Sequence, residues 1–252
     1  MSEVVCGIHA VLEALGAKGA RVTRLLLAGD RRDARLERVV EAARRKGVPI
    51  HRQPAAALDR AAGGVPHQGC VALVAEREYA DPEEVVAAAG RPPLLVALDG
   101  VEDPRNLGAV IRSAAAAGAD GLFIPERRAS GLTAACLRAA AGAAEHLPVA
   151  RVTNLVSFLK RLKEKGIWVV GLDAAGTTTW DGFDLTLPVV LVLGGEGKGL
   201  RRLTRETCDT VLSIPLRTEV ESLNVSVAAG IALFEAVRQR RLLPAGGRPS
   251  GG

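Results

Sequence analysis

A chain of 252 residues that is 48% hydrophobic and 24% charged can bury a substantial core, which excludes a disordered protein. Lys and Arg exceed Asp and Glu by 33 to 28, and the resulting pI of about 9.3 suits an anionic partner such as a nucleic acid. No apolar run reaches the ~18 residues of a membrane span, and the four cysteines form no C-x-x-C pair. We therefore expect a cytoplasmic protein without a metal site.

Residues 1–77 predict a small α/β unit. Apolar residues recur at helical spacing over 7–15, 31–46 and 54–61, and Gly47 stands where a helix cap belongs. Apolar runs of strand length separate these helices: Val22–Ala28, Val48–His51 and Val71–Ala75. A linker is predicted over 78–93, where Asp81-Pro82 begins a short helix and Gly90-Arg91-Pro92-Pro93 ends it.

Residues 94–242 alternate apolar strands with helical stretches. The strands are near-continuous apolar runs, as expected of parallel strands covered on both faces: Leu94–Leu98, Gly121–Ile124, Val149–Val152, Ile167–Leu172, Val189–Leu193 and Val211–Ile214. The helical stretches include Pro104–Ala117, Leu132–Ala141, Asn154–Lys165 and Ser222–Arg240. This alternation predicts an α/β layered domain. Residues 243–252, rich in Gly and Pro, are expected to form a flexible tail.

Three segments of this domain contain polar or glycine positions that a plain core does not need. In the first, a strand ends at Asp99 and the following helix carries Asn106, Gly108 and Arg112. A glycine inside a helix costs about 1 kcal/mol relative to alanine, so Gly108 indicates a close approach of two backbones. Taken alone, Arg112 is equally well explained as a surface residue of an amphipathic helix.

The second segment is the turn Gly194-Gly195-Glu196-Gly197-Lys198-Gly199, directly after an apolar strand. Its glycines let the backbone approach a ligand that a β-carbon would block. The spacing is not that of a Walker A loop, and the turn lies too late in the chain for a dinucleotide fingerprint.

The third segment is Ile214-Pro215-Leu216 followed by Ser222-Leu223-Asn224-Val225-Ser226. Ser222 is explained as a helix N-cap. Asn224 is predicted just inside the helix, where Asn is unfavourable, so it is a candidate functional residue.

Together, N-x-G-x-x-x-R, the G-G-E-G turn, and I-P followed by S-L-N-V-S-V-A resemble the three motifs of the SpoU (TrmH) family of SPOUT methyltransferases. The resemblance covers residues 94–240. The front unit, with Gly7-Ile8-His9-Ala10-Val11 and Pro66-His67-Gln68-Gly69, resembles the substrate-binding domain of members that methylate a guanosine of large-subunit ribosomal RNA.

The resemblance implies a catalytic domain with a deep trefoil knot, homodimerisation through that region, and transfer of a methyl group from S-adenosylmethionine to an RNA ribose 2′-hydroxyl. The implied cofactor contacts are Gly194, Gly195, Glu196, Gly197, Ile214 and Leu223. The implied catalytic residues are Arg112, Asn106, Glu196, Ser222 and Asn224. Because Arg side chains hardly deprotonate, we expect Arg112 to bind the adjacent phosphate and orient the 2′-oxygen.

The front unit is expected to select the RNA, since basic residues are dense there: Arg21, Arg24, Arg31, Arg32, Arg35, Arg38, Arg44, Arg45 and Lys46. With 3% aromatic residues, base stacking cannot be a widespread recognition device. Alternatives are transfer RNA ribose methylation, antibiotic-resistance methylation of the ribosome, and a non-catalytic RNA-binding or ribosome-assembly protein of the same fold. A nucleotide-dependent oxidoreductase is disfavoured because no early G-x-G-x-x-G is present.

Overall fold

The structure is a computed structural model that describes residues 2–16, 21–29, 33–75, 78–195, 199–217 and 222–242. Its contacts divide the chain into two compact units. The first unit is Met1–Glu78 together with Gly131–Gly142, and the second is Tyr79–Ser130 together with Ala143–Gly252.

The first unit is built on a mixed sheet with helices packed against it. Its described strands are β1 (Ser2–Cys6), β2 (Arg21–Ala28), β3 (Ile50–Gln53) and β4 (Cys70–Ala75), in the order β1-β4-β2-β3. β4 is antiparallel to both neighbours, whereas β2 and β3 are parallel. The helices are α1 (Ile8–Gly16), α2 (Ala34–Arg45), α3 (Ala55–Ala62) and α6 (Ala134–Ala140).

Helix α2 shows how local sequence sets an element of this unit. The carboxylate of Asp33 accepts the backbone N–H of Arg35 at 2.9 Å and caps the start of the helix. Gly47 follows the helix with φ +67°, a left-handed conformation that favours glycine, as the sequence predicted. Leu36, Val39 and Ala43 lie on one face and are buried in the core of the unit.

The second unit is built on a parallel sheet. Its described strands are β5 (Leu94–Asp99), β6 (Gly121–Pro125), β7 (Val149–Val152), β8 (Trp168–Leu172), β9 (Thr178–Thr179), β10 (Val189–Gly194) and β11 (Thr210–Ser213). Their order is β7-β6-β5-β10-β8-β11-β9, and every pairing among them is parallel. The predicted α/β architecture with buried parallel strands is thus confirmed.

Helices cover the sheet of the second unit. They are α4 (Pro82–Ala88), α5 (Pro104–Ala116), α7 (Leu155–Glu164), α8 (Arg202–Thr207) and α9 (Val225–Leu242), with a 3₁₀ turn at Ala143–Glu145. One core cluster joins Phe158 and Leu162 of α7 to Ala97 and Phe123 of the sheet. Helix α5 packs against α9.

Several elements differ from the sequence-based expectation. The helix expected over Leu132–Ala141 forms as α6, but its contacts group it with the first unit. The short helix predicted within 78–93 forms as α4, but its Val85 is buried in the core of the second unit, which a linker does not require. The sequence predicted none of β1, β9 and α8, because these short segments carry no apolar run or helical periodicity long enough to stand out.

Candidate functional site

The glycine-rich turn lies at the carboxyl edge of the parallel sheet. Strand β10 ends at Gly194, between β5, which ends at Asp99, and β8, which ends at Leu172. The carboxyl ends of parallel strands share one edge, and open α/β sheets bind ligands there. The turn therefore occupies the part of the sheet where a ligand site is expected.

Gly194 and Gly195 allow two backbone turns to approach each other. A β-carbon on Gly194 would overlap the backbone of Gly199, and one on Gly195 would overlap the carbonyl oxygen of Gly100. The backbone N–H of Gly195 donates to the Asp99 carbonyl oxygen at 3.0 Å. The sequence-based explanation, space for a ligand, is thus incomplete, because the protein's own backbone fills the space beside these glycines.

Two buried carboxylates hold the end of the turn. Asp173 Oδ2 accepts the backbone N–H of Leu200 at 2.8 Å, and Asp99 Oδ2 accepts that of Arg201 at 2.9 Å. Asp99 is the last residue of β5, and Asp173 directly follows β8; these two strands flank β10. Sequence reasoning did not nominate them, although an acidic residue at the end of a buried apolar strand is a signal that could have found them.

The surroundings of Asp173 favour its charged form. The side chain is 6% exposed, and it also accepts the Ala175 N–H at 3.0 Å and a guanidinium N–H of Arg205 at 2.8 Å. Burial raises the pKa of Asp173, but the backbone hydrogen bonds and Arg205 outweigh it, so the pKa falls below its ordinary value. Asp173 is therefore an ionised, fixed support for the turn at neutral pH.

A cavity of about 350 Å³, here called the first cavity, opens beside the turn. Five residues that the sequence nominated line it: Gly194, Gly195, Ile214, Ser222 and Leu223. Residues that it did not nominate also line it: Leu172, Asp173, Ala174, Ala175, Leu193, Gly199, Leu216, Val225 and Ala228. Apolar side chains combined with glycine backbone suit a flat, partly polar ligand of nucleoside size.

A second cavity, of about 680 Å³, borders the same turn and shares Gly195 and Gly199 with the first. Its other lining residues are mostly polar: Asp99, Gly100, Val101, Glu102, Asp103, Asn106, Arg128 and Arg201. The glycine turn therefore borders one cavity lined mainly by apolar residues and glycines and a second one lined mainly by polar residues.

The first and third motifs meet at a hydrogen bond. The side-chain amide of Asn224 donates to Asn106 Oδ1 at 3.0 Å, although 118 positions separate the two residues. Asn224 Oδ1 accepts the backbone N–H and the hydroxyl of Ser226 at 2.9 and 2.6 Å. The prediction that Asn224 lies just inside the helix is wrong: α9 begins at Val225, so Asn224 caps it, which Asn does well.

Three nominated residues remain: Arg112, Glu196 and Gly197. Arg112 is exposed on α5, six residues after Asn106, and lines neither cavity. Glu196 and Gly197 lie outside the described residues. Within the part of the chain that the structure describes, His, Cys, Asp and Glu form no cluster suited to a metal ion, and no helix has the length and hydropathy to span a membrane.

Family models identify the class of protein that this fold and site define. The model described as the SpoU rRNA Methylase family matches residues 93–234. The model described as RNA 2′-O ribose methyltransferase substrate binding matches residues 4–80. The chain belongs to the SpoU rRNA methylase family, as its three motifs predicted.

Individual relatives place the chain more narrowly within that family. It is 46% identical over 242 residues to the 23S rRNA (guanosine-2′-O-)-methyltransferase RlmB of Xylella fastidiosa, covering 95% of this chain and 97% of that one. It is 48% identical over 243 residues to an uncharacterized tRNA/rRNA methyltransferase of Mycobacterium sp. (strain KMS), covering 95% and 77%. The crystal structure of the SpoU methyltransferase AviRb from Streptomyces viridochromogenes in complex with AdoMet is similar with a TM-score of 0.64 at 28% identity, covering 95% and 91%.

Proposed function

We propose that this protein transfers a methyl group from S-adenosylmethionine to the ribose 2′-oxygen of a guanosine in large-subunit ribosomal RNA, and that it does so in the cytoplasm. The meeting of all three motifs around one glycine turn carries the proposal, because motif residues far apart in sequence line one cavity or contact each other. The relative from Xylella fastidiosa, aligned over nearly its whole length, supports the choice of RNA and nucleotide.

The first cavity suits S-adenosylmethionine. Its volume lies in the range of small-molecule sites, and its lining offers apolar contacts for an adenine together with backbone groups for a ribose. We assign the binding role to Gly194, Gly195, Ile214 and Leu223, with Glu196 and Gly197 of the same turn, and add the backbone of Leu172–Ala175. When bound, the sulfonium supplies an already activated methyl group.

The polar residues of the motifs have the task of aligning the 2′-oxygen with that methyl group, and alignment of this kind can supply a large part of a rate enhancement. Asn224 and Asn106 fix each other beside the glycine turn, and Ser222 lines the cavity next to them. Arg112 binds the phosphate beside the reacting ribose and orients the 2′-oxygen. Because its guanidinium stays protonated, Arg112 is not the proton acceptor.

We further propose that the second unit contains the deep trefoil knot and forms a homodimer. The strand order supports the knot: β10 lies between β5 and β8, β11 lies beyond β8, and the chain then returns as α9 to pack on α5. The surface of α9 supports the dimer. Val227 and Phe234, seven positions apart on one helical face, are 50% and 51% exposed.

The first unit is proposed to hold the RNA by its backbone phosphates. Seven of the basic residues that the sequence nominated are described and exposed: Arg21, Arg24, Arg35, Arg38, Arg44, Arg45 and Lys46. Phosphate contacts of this kind position an RNA without reading its sequence. Arg31 and Arg32 lie outside the described residues.

The test is to incubate the purified protein with labelled S-adenosylmethionine and separate pools of ribosomal and transfer RNA, then map the alkali-resistant nucleotide. We expect one 2′-O-methylated guanosine in the large-subunit RNA. Arg112→Ala should abolish the transfer and leave S-adenosylmethionine affinity unchanged, since the residue lines neither cavity. Methylation of transfer RNA alone would contradict the proposal that ribosomal RNA is the substrate. Full activity of Arg112→Ala would contradict the proposed role of Arg112 in binding the phosphate.

A further inference from the structure

The second cavity adjoins the first, in which the methyl donor is proposed to bind. It shares two glycines with the first cavity, and its lining residue Asn106 is hydrogen-bonded to Asn224, the neighbour of Leu223 in the first cavity. An RNA whose ribose reaches the methyl donor therefore brings the rest of that nucleotide alongside the second cavity. The chemistry of its lining decides which part of the nucleotide it binds.

Arg128 stands out in that lining because its backbone is strained. Its φ of +56° is left-handed, a conformation that residues with a β-carbon rarely adopt. The loop that carries it follows β6 and is fixed by the Ser130 N–H, which donates to the Val101 carbonyl oxygen at 2.8 Å. Strain of this kind is found preferentially at functional sites, where the surrounding structure enforces it.

Three of the other charged residues of the cavity, Arg201, Asp99 and Asp103, already have roles in the protein. Arg201 contacts the buried Asp99 through its backbone N–H at 2.9 Å and its guanidinium at 3.5 Å. Asp103 accepts the Arg105 N–H at 2.7 Å and caps α5, whose positive end stabilises its charge. Glu102 is exposed, so solvent and salt screen its repulsion of an anion. The exposed guanidinium of Arg128 is the group best placed to bind one.

We infer that Arg128 binds the backbone phosphate of the methylated nucleotide in the second cavity and so positions the ribose. The inference rests on the proposed function, since it requires an RNA substrate at this site. The planar guanidinium of arginine binds phosphate with two parallel hydrogen bonds. Arg128 is thereby a second phosphate-binding residue in addition to Arg112, and it lies on the loop after β6 rather than on α5.

The test compares Arg128→Gln with Arg127→Gln in the full chain. Arg127 is an exposed neighbour that does not line the cavity, so it controls for a general change of surface charge. Binding of an RNA fragment that contains the target nucleotide is measured by fluorescence anisotropy at several salt concentrations. S-adenosylmethionine affinity is measured by calorimetry, and the melting temperature verifies folding.

We expect Arg128→Gln to lower RNA affinity about tenfold at low salt, as loss of a charge-assisted contact does. The slope of log affinity against log salt should become shallower by about 0.7 to 0.9, the value for one phosphate contact. S-adenosylmethionine affinity should not change, and Arg127→Gln should leave both slope and affinity near those of the wild type.

Equal losses in the two variants, or no loss in either, would overturn the inference. So would an unchanged salt slope together with a changed preference between guanosine and adenosine, because that pattern indicates a contact with the base. Failure of the wild type to methylate any RNA would instead contradict the proposed function, and the binding comparison would still decide the role of Arg128.

Discussion

Replacing Asp173 by Asn preserves the shape of the side chain and removes its charge and one acceptor oxygen. Oδ2 accepts N–H groups of Leu200 and Arg205, both at 2.8 Å, and Oδ1 accepts that of Ala175 at 3.0 Å. An amide can turn its oxygen toward one side only, and its NH₂ then faces a donor on the other. At least one of these three N–H groups therefore loses its acceptor in Asp173→Asn.

The magnitude follows from those contacts. A hydrogen bond to a charged group contributes about 1.5–3 kcal/mol, so the loss of one such bond and the weakening of the others cost free energy of that order. We expect the free energy of unfolding to fall by about 2–3 kcal/mol, which lowers the melting temperature of a chain of this size by about 5–10 °C. Affinity for S-adenosylmethionine should fall as well, because the bond to Leu200 fixes the turn beside the first cavity.

The matched control is Glu206→Gln on α8, the helix that also carries Arg205, the partner of Asp173. Glu206 forms an ion pair with Arg202 at 2.7 Å, close to the 2.8 Å of the Asp173–Arg205 pair. The Glu206 side chain is 55% exposed, whereas the Asp173 side chain is 6% exposed. Exposed pairs contribute about 0–1 kcal/mol, so the melting temperature should change little. Thermal unfolding and calorimetric titration of the three proteins provide the comparison. Equal losses in both variants would refute the argument from burial.

The pH dependence adds a second check on Asp173. Burial raises its pKa, but hydrogen bonds and Arg205 lower it below the ordinary value of 3.8. A carboxyl group whose pKa is lower in the folded state than in the unfolded state stabilises the protein fully at pH values above its unfolded-state pKa. This stabilisation is lost as the pH falls through the folded-state pKa. The stability difference between wild type and Asp173→Asn should therefore stay constant from about pH 8 to pH 5 and shrink below about pH 4. A difference that shrinks between pH 8 and pH 5 would contradict the lowered pKa.

Three further changes test other contacts. Gly195→Val should weaken S-adenosylmethionine binding, measured by calorimetry, at least ~10-fold, because the β-carbon of the new valine would overlap the Gly100 carbonyl oxygen. Gly16→Ala is the control and should leave binding unchanged, because a β-carbon added at Gly16 meets no atom within 4 Å. Arg240→Met should lower the free energy of unfolding, measured in urea, by about 2–4 kcal/mol, because the Arg240 guanidinium donates at 2.8–3.0 Å to four carbonyl oxygens. Its control is Arg241→Met at the exposed neighbouring position, which should change the free energy of unfolding little. Three exposed basic residues of the first unit, Arg44, Arg45 and Lys46, are replaced together with Gln. The slope of log RNA affinity against log salt concentration should become shallower by about 2–3, and an unchanged slope would show that these residues do not bind RNA.

Local sequence determined most of the elements and the class of protein. Apolar runs such as Val189–Leu193 predicted buried strands, since a parallel strand needs apolar side chains on both faces. Asp81-Pro82 predicted the start of α4, because a cap and a fixed φ act within a few residues. The three motifs, read in order, identified the family.

Tertiary structure alone decided how those elements meet. It paired Asn106 with Asn224 across 118 positions, placed β10 between β5 and β8, and brought the Gly195 and Gly100 turns into contact. It also gave Asp99 and Asp173 their role and grouped α6 with the first unit. Periodicity and capping report only on interactions a few residues apart, whereas strand order and side-chain partners depend on the packing free energy of segments that are distant in sequence.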